Sequence, residues 1–161
     1  MIAKTLLIIY HSRTAGTEQM ARTAAEAQDC TITLKPAAET TPADLLAADG
    51  YLFACPENLA SMSGVMKDFF DRCYYPVLGK IEGRPYASMI CAGSDGEGAA
   101  RQIARIALGW RLKQVAEPLI ICTNAQTPEA ILAPKIIPEA DLAKCRELGA
   151  MLAAGLAMGI F

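Results

Sequence analysis

Apolar residues gather in two rhythms in this chain. Unbroken apolar runs at residues 5–10, 51–55, 87–92 and 119–122 predict strands buried on both faces. Residues 31–35 alternate polar and apolar, which predicts an edge strand. Between these runs the spacing changes to three and four. Residues 18–27 place Met20, Ala21, Ala24 and Ala27 on one helical face. A short helix is expected over 42–48, and a longer one over 64–75 with Val65, Met66, Phe69, Phe70 and Cys73 inward. Residues 99–112 form a helix on Ile103, Ile106, Ala107 and Trp110. Residues 138–156 close the chain as a helix on Leu142, Cys145, Leu148, Gly149, Leu152 and Leu156.

Five strands alternating with helices define an α/β class with a parallel sheet. Strands one and three, apolar throughout, belong at the centre, and the alternating second strand at an edge. That fits the order 2-1-3-4-5, whose switch point lies between strands one and three. The loops after strands one, three and four, residues 11–17, 56–63 and 93–98, then meet at one edge. With no repeat, low-complexity tract or linker, residues 1–161 are expected to form a single domain.

The first of these loops reads His11-Ser12-Arg13-Thr14-Ala15-Gly16-Thr17. It brings three hydroxyls to the point where a strand hands over to a helix. Hydroxyls and free amides donate to a phosphate there, and the helix dipole favours its charge. A single N-cap would need one hydroxyl rather than three. The loop lacks the Gly-Lys-Ser/Thr ending of a triphosphate loop and the G-x-G-x-x-G of a dinucleotide fold.

Composition narrows the chemistry further. A net charge of −2 argues against nucleic acid as the main partner. The chain starts straight into its first strand with no signal-peptide pattern, so a cytoplasmic location is expected. The apolar residues 148–161 are too short to span a bilayer. None of the six cysteines has zinc or C-x-x-C spacing, and one histidine makes no metal cluster, so no metal is expected. No cysteine is followed by Arg at phosphatase spacing, and Cys55 stands where a receiver domain needs Asp.

The loop resembles the flavin-phosphate loop of the flavodoxin family, Ser/Thr-x-Thr-Gly-x-Thr, with Ala15 where that pattern has Gly. If position 15 needs a positive φ, Ala costs about 1 kcal/mol there. The stretch from Pro56 through Met62 and Lys67 to Arg72 resembles the corresponding segment of FMN-dependent NAD(P)H oxidoreductases, the quinone and FMN reductases. Gly93-Ser94-Asp95-Gly96-Glu97-Gly98 resembles their second ring-contacting loop. The resemblance implies a flavodoxin-like three-layer sandwich with a five-stranded sheet, and FMN as cofactor. It implies that Ser12, Arg13, Thr14, Ala15, Gly16 and Thr17 hold the phosphate. The ring would lie between Pro56, Glu57, Asn58, Leu59, Ala60, Ser61 and Met62 on one side and Gly93, Ser94 and Asp95 on the other. Lys67, Asp68, Asp71 and Arg72 read as a solvated helix face.

The same resemblance implies two-electron transfer from NAD(P)H through FMN to a quinone or other small acceptor, the flavin carrying the chemistry. The alternative is a flavodoxin-type carrier of single electrons between proteins. Carriers resemble this chain less: they are strongly acidic and cover the flavin with aromatics, and the three loops here contain no Phe, Trp or Tyr. A homodimer is expected from the apolar fifth strand and the apolar C-terminal residues 157–161. A neighbouring subunit could then supply the missing aromatic.

Overall fold

The computed structural model describes residues 3–161. In chain order its elements are β1 (Thr5–Tyr10), α1 (Gly16–Ala24), β2 (Thr31–Pro36), α2 (Pro42–Ala47), β3 (Gly50–Asn58), β4 (Ser61–Met62), α3 (Gly64–Val77), β5 (Pro85–Ala92), α4 (Glu97–Gly109), β6 (Lys113–Gln114), β7 (Leu119–Cys122), α5 (Pro128–Leu132) and α6 (Glu139–Met158). A single 3-10 turn, Ala37–Glu39, leads into α2.

The sheet has seven strands, not the five expected, yet it keeps the expected order. The parallel path runs β2-β1-β3-β5, and both β6 and β7 pair with the outer edge of β5. They are one edge strand in two pieces. Tyr86 pairs with Gln114 and Met89 with Leu119, so residues 115–118 bulge past only Ala87 and Ser88. Pro118 has no amide N–H to give the ladder, which explains a break just before β7. The seventh strand, β4, is the return arm of a hairpin. The segment 56–63, expected as a loop, continues β3 to Asn58 and turns back, pairing Glu57 with Met62.

Alternation along the central strands fills two cores. Leu7, Ile9, Tyr51 and Phe53 face α3 and α4, where Phe69, Phe70 and Trp110 complete an aromatic cluster. The Phe53 and Phe70 ring centroids lie 5.2 Å apart, and Trp110 Nε1 donates to the Tyr74 carbonyl at 3.0 Å. Leu6, Ile8 and Leu52 face the other way onto Met20 of α1 and Cys145, Leu148 and Leu152 of α6. Val65, expected inward, is exposed. Arg72, read as part of a solvated face, donates to the Ala37 and Thr40 carbonyls and pins the 3-10 turn.

Contact between α1 and α6 is close at one point. A side chain at Gly149 would collide with the Ala24 carbonyl. α6 therefore lies on the backbone of α1 and fixes the helix whose N-terminus opens on the switch point. No disulfide links the cysteines among the described residues, and no helix there is long and apolar enough to cross a membrane.

Candidate functional site

β1 stops at Tyr10, but the His11 amide still donates to Ala54 O at 3.0 Å. The chain then reverses through Ala15, at φ 70°, and α1 begins at Gly16, two residues before the pattern predicted. Holding an alanine in the left-handed region costs about 1 kcal/mol. Gly16 is needed for closeness rather than conformation: a Cβ there would stand 2.8 Å from Cys91 Sγ.

Donors at this helix end are only partly used. Ser12 Oγ accepts from the Glu18 amide at 3.1 Å, and Ala15 O accepts from Gln19 N at 3.1 Å. The amides of Gly16 and Thr17 have no preceding turn to bond to and no partner among the described residues. Thr17 is 1% exposed, and its hydroxyl has no hydrogen-bond partner. Its polar neighbour is the Cys91 thiol, which makes no hydrogen bond to it; burial pushes the pKa of that thiol up to about 11, so it stays protonated. A buried hydroxyl without a partner is costly, which marks this point as built for something else.

The second wall is the β3–β4 hairpin. Its two turn residues, Leu59 at φ 52° and Ala60 at φ 64°, both lie in the left-handed region, where Asn-Gly is the usual pair. Leu59 is fully exposed. Contacts with α4 hold this strained tip. Glu57 Oε1 accepts from Gly96 N at 2.8 Å and Oε2 from Ala99 N at 3.1 Å. α4 has no side-chain cap of its own at Gly96, so Glu57 serves as its cap from the neighbouring strand. Gln102 Oε1 accepts from the Met62 amide at 2.8 Å and from Ser61 Oγ at 3.0 Å. A side chain at Gly98 would collide with the Ala60 carbonyl.

A fourth segment, absent from the sequence expectation, completes the site. After β7, Thr123 N donates to Ala92 O and Asn124 N to Gly93 O, both at 2.8 Å. Ala125 O lies where a Gly93 side chain would be, 2.7 Å from its Cβ position. The strap then returns over α1, where Lys135 N donates to Thr14 O at 2.7 Å. Gln19 grips it from both sides, donating to Lys135 O at 2.7 Å and accepting from Ile137 N at 3.0 Å.

The four segments enclose a cleft of about 300 Å³. That is the low end of the ~300–1,000 Å³ common for small-molecule sites. Ser12, Arg13, Thr14, Gly16, Thr17, Pro56, Glu57, Asn58, Leu59, Ala60, Gly93 and Ser94 line it. Four expected residues stand off the lining. Ala15 is exposed behind the turn, Met62 is buried in the aromatic core, Ser61 is turned to Gln102, and Asp95 accepts from Glu97 N. The lining residues that sequence did not suggest are Cys91, Ala92, Thr123, Ala125, Ile131 and Lys135.

Outside the lining, His11 Nδ1 and Ser63 Oγ are 2.8 Å apart. Burial, and then the Arg13 charge, lower the His11 pKa and keep the ring neutral at pH 7. Burial pushes the Cys55 thiol up to about 12. Neither is charged near neutrality, so the end of the cleft at the start of α1 presents hydroxyls, amides and cationic side chains. An unpartnered buried hydroxyl, bare helix-end amides and a glycine cradle fit a phosphate group there.

Comparison with known proteins bears on the fold and the family. The family model described as NADPH-dependent FMN reductase matches residues 11–125. A curated flavodoxin of Aquifex aeolicus (strain VF5) is 29% identical over 165 aligned positions, covering 95% of this chain and 87% of its own. Among solved structures, a flavodoxin from the domain Archaea superposes with a TM-score of 0.74 at 16% identity, covering 94% of this chain and 98% of its own. A WrbA-like flavodoxin from Agrobacterium tumefaciens gives 0.69 at 18% identity, covering 98% and 99%. An NADPH-quinone reductase from P. pentosaceus gives 0.65 at 18%, covering 91% and 97%. The fold is flavodoxin-like.

Two substitutions test how the site is held. Thr17→Val removes a buried hydroxyl that nothing satisfies, so the ligand-free chain should gain roughly 1 kcal/mol in urea unfolding. A loss of stability would mean that the hydroxyl acts as a cap. Glu57→Gln replaces one acceptor oxygen with an amide that faces a backbone N–H. It should cost about 1–3 kcal/mol in the same measurement.

Proposed function

The chain belongs to the NADPH-dependent FMN reductase family, and we propose that it is an oxidoreductase that holds FMN in the switch-point cleft. Bound there, FMN would supply two-electron transfer from NAD(P)H to a quinone or other small acceptor. The observation that carries this reading is the openness of the ring end. The hairpin tip and residues 93–97 bring no aromatic side chain to the cleft, and its exposed large apolar groups are the aliphatic Leu59 and Ile131. A site walled this way leaves a face on which a nicotinamide or a quinone can stack.

In this reading the Thr17 and Thr14 hydroxyls, the Ser12 hydroxyl proton, the Arg13 guanidinium and the amides of Gly16 and Thr17 donate to the phosphate. Pro56, Glu57, Asn58, Leu59 and Ala60 form one wall of the ring site, and Gly93 and Ser94 the other. Glu57 fixes the distance between those walls through its bonds to Gly96 and Ala99. Ala15, Ser61, Met62 and Asp95 serve as scaffold. The second reading, a carrier of single electrons between proteins, draws on the similarity to the curated flavodoxin.

Purified or reconstituted protein should hold about one FMN per chain and bind it far more tightly than riboflavin. Thr17→Val should weaken FMN without unfolding the apoprotein. The loaded protein should oxidise NADH or NADPH at a rate that rises on adding a soluble benzoquinone. Equal affinity for FMN and riboflavin would contradict the phosphate assignment. Tight FMN binding with no NAD(P)H oxidation would favour the carrier.

We also propose a homodimer. Phe161 folds back over Gly155, but Met158, Ile160 and Leu108 keep most of their surface exposed. Light scattering at micromolar concentration should give twice the 17.2 kDa of one chain. A mass of one chain with FMN bound would reject it.

A further inference from the structure

We propose that Lys135 is a charged ligand of the phosphate end of the cleft and sets the preference for FMN over riboflavin; this rests on the FMN reading above. Lys135 lies beyond residues 11–125, the part matched by the family model. Its position is set by backbone. Its amide donates to Thr14 O, and its carbonyl accepts from Gln19 Nε2. The side chain runs half-buried along the cleft wall, and Nζ stands 3.3 Å from Thr14 Oγ1.

An ammonium has three donors. Two are directed at the Ile131 and Ala133 carbonyls of its own strap, and the third makes the long contact to Thr14. All three partners are neutral. No ion pair among the described residues includes Lys135. A fixed, unneutralised cation therefore stands at the N-terminus of α1. The helix dipole disfavours a cation there, because the unpaired amides already carry positive charge. The same point holds the buried Thr17 hydroxyl without a partner. A phosphate resolves both features at once: it gives the ammonium a counter-charge and gives the hydroxyl and the amides an acceptor. Riboflavin, lacking the phosphate, offers neither.

The competing role is a strap staple, with the ammonium serving only the Ile131 and Ala133 carbonyls. Flavin fluorescence titration of the apoprotein with FMN and with riboflavin separates the two roles. The titrations use wild type, Lys135→Met and Lys135→Arg at low and high salt. Lys135→Met should lose about tenfold or more in FMN affinity and leave riboflavin within about twofold. Its FMN affinity should also depend less on salt than that of wild type. Lys135→Arg should retain most of the discrimination. An unchanged FMN-to-riboflavin ratio in Lys135→Met, or a parallel loss of both ligands, would overturn the proposal. Wild type preferring FMN alongside such a result would leave the FMN reading standing. Wild type binding both flavins equally would remove that reading and the role of Lys135 with it.

Discussion

The Glu57 carboxylate holds the two sides of the cleft together. It leaves the end of β3 and takes the amides of Gly96 and Ala99 at the start of α4. One charged group thus satisfies donors at the start of a helix whose N-cap residue, Gly96, has no side chain to do so, and fixes a hairpin that has no favourable turn residues. Such charge-assisted bonds are stronger than neutral ones, and removing one partner leaves buried groups unpaired. Gln102 and the close approach of Gly98 to Ala60 reinforce the same joint. Without it, Leu59 and Ala60 would have little reason to stay at positive φ, and the wall opposite Gly93 would lose its shape.

Local rules are broken mainly around this cleft. Ala15, Leu59 and Ala60 are non-glycine residues in the left-handed region, and Thr17 has a buried hydroxyl with no partner. Each departure is a cost to the ligand-free fold. Each also shapes a surface: Ala15 turns the chain so that α1 opens on unpaired amides, and the hairpin carries Leu59 to the rim. Strain gathered where four strand ends meet is the expected signature of a site rather than of a scaffold. The aromatic core around Phe53, by contrast, follows every rule of alternation and packing.

Much of the fold was legible in the sequence because burial writes itself as period. The apolar runs gave the central strands, and the alternation of residues 31–35 gave the edge. The order of strands followed from those two facts. The hairpin was not legible, because Leu59-Ala60 lacks the Asn-Gly chemistry of a two-residue turn. The inner piece of the edge strand was hidden by its polar Lys113-Gln114. In the site, the hydroxyls of 12–17 and the small residues of 93–94 were readable as chemistry. The strap was not. Lys135 meets Thr14 and Gln19 across more than a hundred residues, inside a Pro-rich stretch with no period. Prolines on either side of it were the available signal, since they stiffen a segment that must cross the surface without a ladder.

In the proposed complex, residues 12–17 hold a phosphate dianion by amides, hydroxyls and the Arg13 cation. Phosphorus-31 NMR of the FMN-loaded protein tests it most directly. A free phosphate monoester titrates at about pH 6. Donors arranged for the dianion should hold it deprotonated, so the bound resonance should keep one chemical shift from about pH 5 to 8. A bound resonance that titrates near pH 6, like free FMN, would place the phosphate in solvent, away from residues 12–17.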